Sequence, residues 1–277
     1  LNKSSELNLH YLDIRAQRED DGQLLLRDRG YLFGDGFFTT GIVNNGLLQH
    51  PAAHWQRLQE SGQTLKFLSI DWPRLIGSLN NRLLSEGDAC IRISVSRSQS
   101  ARGYKIDQRA AIHVSVILSA LPQVPSGYCD LFFAETPASS NPLLAGLKHL
   151  NRLDSVLAAS EINSEQAGNQ ESLLCLDDSV ICGSRSNLFM LSKGVWLTPR
   201  LDRAGVSGIT RNRLIKAMQL HRIPVKEGEI SRQQLLDCDA ALITNSLLGI
   251  WSAQKIQGRL LATQLADDLK YQLNFQR

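Results

Sequence analysis

The chain has 277 residues, of which 43% are apolar and 21% charged, and it carries a formal net charge of +3. That length suffices for two modest domains or one large one, with a composition ordinary for a globular protein. So small a positive excess argues against a nucleic-acid partner, and the longest apolar run, residues 110–121, is interrupted by His113 and Ser115, which argues against a membrane span. Five scattered cysteines without a Cys-x-x-Cys pair read as free thiols of a reduced, cytoplasmic protein. Residues 1–12 are polar and lack the apolar block of a signal peptide.

The first quarter reads as strands and turns. Leu24-Leu25-Leu26 precedes a turn at residues 27–30, and the stretch from Tyr31 through Gly34-Asp35-Gly36 to Phe37-Phe38-Thr39-Thr40 reads as a sharp turn feeding an aromatic strand. A dinucleotide fingerprint is rejected here, because Thr39 stands where the third glycine belongs and no strand-to-helix context follows. Asn44-Asn45-Gly46 is a hairpin turn. An amphipathic helix begins near Pro51 and carries His54, Trp55, Arg57 and Leu58. His50 and His54 lie four apart, but Pro51 sits between them and no Glu follows His50, so two partly exposed histidines are expected rather than metal ligands.

Ile91, Ile93 and Val95 alternate with Arg92, Ser94 and Ser96, and Ile112, Val114 and Val116 repeat the pattern. Both segments are half-buried strands. The connection between them bears Arg97, Arg102 and Tyr104 and reads either as a loop that grips carboxylates or as a solvated hairpin tip. Residues 122–127, rich in proline and glycine, read as a linker between an N-terminal domain, 1–121, and a C-terminal domain, 128–277.

Leu131-Phe132-Phe133-Ala134 opens the second domain and leads to Gly146-Leu147-Lys148-His149-Leu150-Asn151-Arg152-Leu153-Asp154, a single lysine among apolar residues. Leu153, Val156 and Leu157 follow at helical spacing, with Gly168 as a stop. Desolvation disfavours a charged amine, and a neutral lysine can attack a carbonyl to form a Schiff base; an ordinary surface lysine is the alternative. Short strands at 172–176, 180–182, 187–191 and 195–197 are joined by turns at Asp177-Asp178-Ser179 and Ser192-Lys193-Gly194. Gly205-Val206-Ser207-Gly208-Ile209-Thr210-Arg211 then leads into a helix bearing Leu214, Ile215 and Met218. Such a helix start offers backbone N–H groups to an anion such as phosphate. Ser231-Arg232-Gln233-Gln234 is a capping box, residues 240–243 form a strand ending at Thr244-Asn245-Ser246, and Leu265, Leu269 and Leu273 mark a closing helix.

Together, Lys148-His149-Leu150-Asn151-Arg152-Leu153, Ser186-Asn187-Leu188-Phe189, the Gly205 to Arg211 stretch, Thr244-Asn245-Ser246, the Phe33 to Thr40 block and His54-Trp55-Gln56-Arg57-Leu58 resemble the fold-type IV enzymes dependent on pyridoxal 5′-phosphate (PLP). That family includes branched-chain and D-amino acid aminotransferases and 4-amino-4-deoxychorismate lyases. The resemblance covers nearly the whole chain. It implies an α/β (α+β) two-domain fold with mixed sheets and flanking helices, PLP in the interdomain cleft, a small-molecule substrate, no metal, and usually a homodimer. By position, Lys148 would be the Schiff-base lysine, and Arg57 with the N–H groups of Ile209 and Thr210 would hold the phosphate, assisted by Ser246. Arg97, Arg102, Tyr104 and Asn245 would lie near the substrate.

The lysine motif and Arg102-Gly103-Tyr104 look most like the lyase, which releases 4-aminobenzoate and pyruvate in folate biosynthesis. An aminotransferase, or a non-catalytic protein of the same fold, are the alternatives. One position departs from the family pattern. Five residues before Asn187 the family carries a glutamate that keeps the pyridine nitrogen protonated, and here that position is Cys182.

Overall fold

The computed structural model describes residues 8–13, 18–20, 28–68, 70–84, 86–98, 103–107, 110–123, 125–162 and 169–275. Leu24-Leu25-Leu26, Arg102, Val124 of the linker and Gly168 lie outside the described residues. The chain divides into two compact units, Leu1–Pro122 with Leu147–Asn151, and Gln123–Gly146 with Arg152–Arg277. Five residues from the segment read as C-terminal domain therefore belong to the first unit, the lysine among them. Both units are mixed α/β.

The first unit is built on a six-stranded antiparallel sheet. Its order is β2 (Arg18–Asp20), β1 (Asn8–Asp13), β6 (Ile112–Ser119), β5 (Ala89–Arg97), β3 (Gly36–Asn44), β4 (Leu47–Leu48). The alternation in β5 sends Ile91, Ile93 and Val95 into the core. There they meet Leu58 of α2 (Pro51–Thr64) and Leu75, Leu79 and Leu83 of α3 (Trp72–Leu83). Pro51 opens α2 at a position where its missing N–H costs nothing. Asn45 and Gly46, with φ of 48° and 74°, make the left-handed turn that a two-residue hairpin needs.

One turn of helix, α1 (Arg29–Phe33), stands where strands and turns were expected. Asp28 caps it by accepting from the Gly30 backbone N–H at 2.7 Å, and Gly34 ends it at φ 66°.

In the second unit the sheet runs β12 (Val225–Gly228), β11 (Val195–Pro199), β10 (Asn187–Ser192), β13 (Ala240–Asn245), β14 (Gly249–Ile256), β7 (Cys129–Phe133), β8 (Gln170–Leu176), β9 (Ser179–Gly183), with β15 (Arg259–Leu260) paired to β14. The pairs β11–β12, β14–β7 and β7–β8 are parallel and the others antiparallel. Strands β10 and β13 are buried on both faces, which is why they read as unbroken apolar runs. Phe189 and Leu242 face α5 (Ile209–Leu220) and α7 (Thr263–Gln272) through Leu214, Met218 and Leu269. Leu188, Met190, Ala241 and Ile243 face the opposite core, with Leu235 of α6 (Arg232–Leu236). The capping box at Ser231 forms as read, Gln234 returning the bond to the Ser231 N–H. Helix α4 (Leu153–Ser160) forms at the predicted spacing, yet Leu153, Val156 and Leu157 are exposed and Ala158 is the residue it buries.

Candidate active site

Among the described residues, strand β4 pairs only with the far end of β3, at Val43 and Asn44. The edge of β3 near Gly36 is taken instead by residues 147–151. Phe38 N–H donates to the Lys148 carbonyl at 2.9 Å and Leu150 N–H to the Gly36 carbonyl at 3.0 Å, with Phe37 opposite His149. Gly36 is required, because an added Cβ would collide with the Val95 carbonyl and meet a Leu150 methyl at 2.7 Å. This register puts Lys148 opposite Phe38 on one face of the sheet. The Lys148 amine lies 4.5 Å from the Phe38 ring centre. The lysine is half-buried.

On the neighbouring helix α2, His54 is only 2% exposed and pairs through Nδ1 with the Thr39 hydroxyl at 2.7 Å. The expectation of two partly exposed histidines therefore fails for His54 and holds in kind only for the exposed His50. Burial, then Arg57 and His50, push the His54 pKa down to about 3, so the ring is neutral. Arg57, three residues on, is half-buried, and burial against the opposing pull of Glu60 lowers its pKa to about 10. It remains cationic at neutral pH and suits an anion.

Arg97, expected near the substrate, is engaged within the first unit. It is 2% exposed, donates to Asp35 at 2.5 Å and to the Leu65 carbonyl, and stacks 3.8 Å from the Phe67 ring centre. Asp35 also accepts from Arg29 at 2.8 Å, and Arg29 in turn holds the carbonyls of Gly103 and Tyr104 at 2.8 and 3.1 Å. This network anchors the loop read as a carboxylate grip or hairpin tip. Tyr104 itself is 82% exposed, its ring edge-on to Phe33. Arg102 lies outside the described residues.

In the second unit, Gly208 caps α5 with no side-chain hydrogen bond, leaving Ile209 and Thr210 at the positive end of the helix. Asn187 secures this turn by donating to the Val206 carbonyl at 2.8 Å, and its amide sits where a Cβ on Gly208 would be. Gly205, at φ 85°, leaves room beside Ile181 and Cys182 that a side chain would fill. Ser246 follows β13, half-buried. The Asn245 amide oxygen is engaged by the Leu247 and Leu248 N–H groups at 2.9 and 2.7 Å, which holds the turn and spends that acceptor.

Cys182 lies on β9 among Ala134, Ala138, Ala158 and Ala204. Burial pushes its thiol up to about 12 despite the nearby Arg152, so it is neutral at physiological pH. The acids around it are committed. Glu171 accepts from Ser184 Oγ at 2.6 Å and from Arg185, and Asp154 accepts from the Ser139 and Ser155 N–H groups. No group of three or more His, Cys, Asp or Glu side chains able to hold a metal ion occurs among the described residues.

Sequence reasoning missed Arg92 as part of this surroundings. Its guanidinium lies 3.6 Å from the Phe38 ring centre. The signal was present, since Arg92 falls on the polar phase of the β5 alternation, the face that Phe38 and Lys148 share.

The chain belongs to the Amino-transferase class IV family, which matches residues 36–256. Among its relatives, an aminodeoxychorismate lyase from Vibrio harveyi is 31% identical over 232 residues, covering 81% of this chain and 84% of that one. A D-alanine aminotransferase from Listeria innocua is 25% identical over 260 residues, covering 91% and 88%. The crystal structure of 4-amino-4-deoxychorismate lyase from Pseudomonas aeruginosa superimposes with a TM-score of 0.84 at 31% identity, covering 91% of this chain and 96% of that one.

Proposed function

We propose that this chain is a PLP-dependent lyase converting 4-amino-4-deoxychorismate to 4-aminobenzoate and pyruvate. The observation that carries the reading is the half-buried Lys148, held against the edge of β3 with its amine beside the Phe38 ring, in a chain 31% identical to a lyase of that name. Each unit, taken by itself, carries groups suited to the cofactor. In the first, Lys148 would offer an amine to its aldehyde and Arg57 a cation to its phosphate; in the second, the start of α5 would offer the N–H groups of Ile209 and Thr210 to that phosphate, with Ser246 as a further donor. At the ring nitrogen the fit is weaker, because Cys182 is a neutral thiol.

When bound, PLP supplies an electron sink next to the substrate's amino-bearing carbon. Lys148, as a free amine, takes the proton from C4. The C3–O bond breaks, the ring becomes aromatic, and Lys148 returns a proton to the departing enolpyruvyl group, which leaves as pyruvate. Aromatisation drives this elimination, so a neutral residue at position 182 suffices. A reversible transamination would lean harder on a protonated ring. Tyr104 and Arg102 are read as substrate contacts.

We place the enzyme in folate biosynthesis, in the cytoplasm and as a homodimer. Five buried free thiols support a reducing compartment, and the exposed Leu153, Val156 and Leu157 support association with a second copy. The test is to load the protein with PLP and supply 4-amino-4-deoxychorismate. Equal release of 4-aminobenzoate and pyruvate is expected, lost in Lys148→Ala. Absence of both products refutes the reading, and amino-group transfer from alanine or leucine instead would favour an aminotransferase.

A further inference from the structure

Arg92, Phe38 and Lys148 lie on one face of the first unit's sheet. Phe38 pairs with Ser94 on β5, placing Arg92 one diagonal step away, and faces Lys148 across its other edge. The Arg92 guanidinium lies 3.6 Å from the ring centre and the Lys148 amine 4.5 Å from it, which bounds the separation of the two cationic centres at about 8 Å. Arg92 is fixed there by a hydrogen bond from Nε to the Ser94 hydroxyl at 3.2 Å. Burial lowers its pKa, but a guanidinium starts so high that it stays charged throughout the neutral range.

We propose that Arg92 is a positioning residue for the amine: its fixed positive charge, applied across the shared ring, holds Lys148 in its neutral, nucleophilic form. This rests on the reading of Lys148 as the PLP-bearing lysine. Two effects oppose each other. The ring face attracts a cation and favours the charged amine by about half a pH unit. Repulsion between two cations about 8 Å apart, at the effective dielectric of a protein's outer layers, favours the neutral amine by about 1.5 pH units. Repulsion wins by about one unit.

The other charged groups on these elements have partners of their own. Asp28 is bound to His113, Asp35 to Arg29 and Arg97, and the neutral His54 to Thr39, with Arg57 on the same helix. His149, beside Lys148 in sequence, is buried. Among the described residues, Arg92 is the cation that shares an aromatic face with Lys148.

The experiment adds PLP to cofactor-free wild type, Arg92→Met and Arg92→Lys, confirms the labelled residue by borohydride reduction and mass spectrometry, and follows from pH 5 to 10 the rate at which the visible absorbance appears, which tracks the neutral fraction of the free amine. The midpoint is expected to rise by about one pH unit in Arg92→Met and to stay near wild type in Arg92→Lys, which keeps the charge. A merely structural role would not be rescued by charge alone, and thermal melting checks that each variant is folded. If Arg92→Met does not fold, Arg92→Gln takes its place with the same expected rise. An unchanged midpoint in the neutral variant, with Lys148 labelled, overturns this inference alone. Failure of wild-type Lys148 to take the label overturns both the inference and the reading beneath it.

Discussion

Acidification should destabilise this protein through His54, and the size of the effect follows from the burial of one ring. The imidazole is 2% exposed, bonded to Thr39 and packed where a Cβ on Gly41 would stand 2.8 Å from two of its atoms. Its pKa is pushed down to about 3 from 6.5. Below pH 6.5 the unfolded chain binds a proton that the folded chain refuses until about pH 3. Stability is therefore complete above pH 6.5 and declines as the pH falls, by about 1.4 kcal/mol per unit, or about 2 kcal/mol at pH 5. Urea unfolding between pH 8 and 4 measures it directly. His54→Gln keeps a hydrogen-bonding side chain without the titration. It should cost about 1 kcal/mol at pH 7.5 yet flatten the acid limb relative to wild type. Parallel losses in the two proteins would refute the argument. The effect reaches the candidate site because α2 also carries Arg57, and a protonated His54 would set a second cation one turn from that guanidinium.

Three further outcomes follow. Asp35→Asn leaves the nearly buried Arg29 and Arg97 without their shared carboxylate; a loss of about 3 kcal/mol and a fall in Tm of roughly 6–12 °C are expected by calorimetry, and a loss below about 1 kcal/mol would contradict the network. Cys182→Glu should raise the half-reaction with alanine about ten-fold, followed by loss of the cofactor's visible absorbance, since a carboxylate strengthens the electron sink; no gain would contradict the role assigned to that position. All five cysteines are buried, and burial pushes the Cys238 thiol up to about 11 and that of Cys182 to about 12, so a thiol reagent at pH 8 should react slowly with the native protein and with all five thiols in urea. Rapid native labelling would contradict their burial.

Much of the fold was legible because its signals are local. The alternation at residues 91–95, the Asn45-Gly46 turn, the Ser231 capping box and the doubly apolar β10 and β13 each declare themselves within a few residues. What escaped was non-local. The sharp turn and aromatic strand at Gly34 to Thr40 form as read, but residues 29–33 just before them pass for turn until Asp28 and Gly34 are seen as the two caps of α1. Arg97 looks like a free loop cation because nothing near it in sequence announces that Asp35, 62 residues earlier, will claim it. β14 was passed over because Ser252, Gln254 and Lys255 interrupt its apolar pattern, although Trp251, Ala253 and Ile256 are buried. The lysine motif was recognisable as a string, but its docking on the edge of β3 depends on Gly36, more than a hundred residues away.

The cysteine at position 182 is the point where sequence, packing and chemistry meet. The corner it occupies is already short of water and rich in acids, for Asp154, Glu171 and Cys175 all push its thiol in the same direction as burial does, with Arg152 opposing. A carboxylate there would be a further negative group in a desolvated corner whose other acids are spent on Ser184, Arg185 and the Ser139 and Ser155 amides. A thiol relieves that burden; on the reading that position 182 faces the cofactor's ring nitrogen, it does so at the expense of that nitrogen's charge partner. On that reading the exchange suits a reaction whose driving force lies in the substrate. Forming an aromatic ring supplies that force, whereas moving an amino group between two similar acids does not. On the proposed reading, Cys182 is therefore compatible with the elimination and unfavourable to transamination.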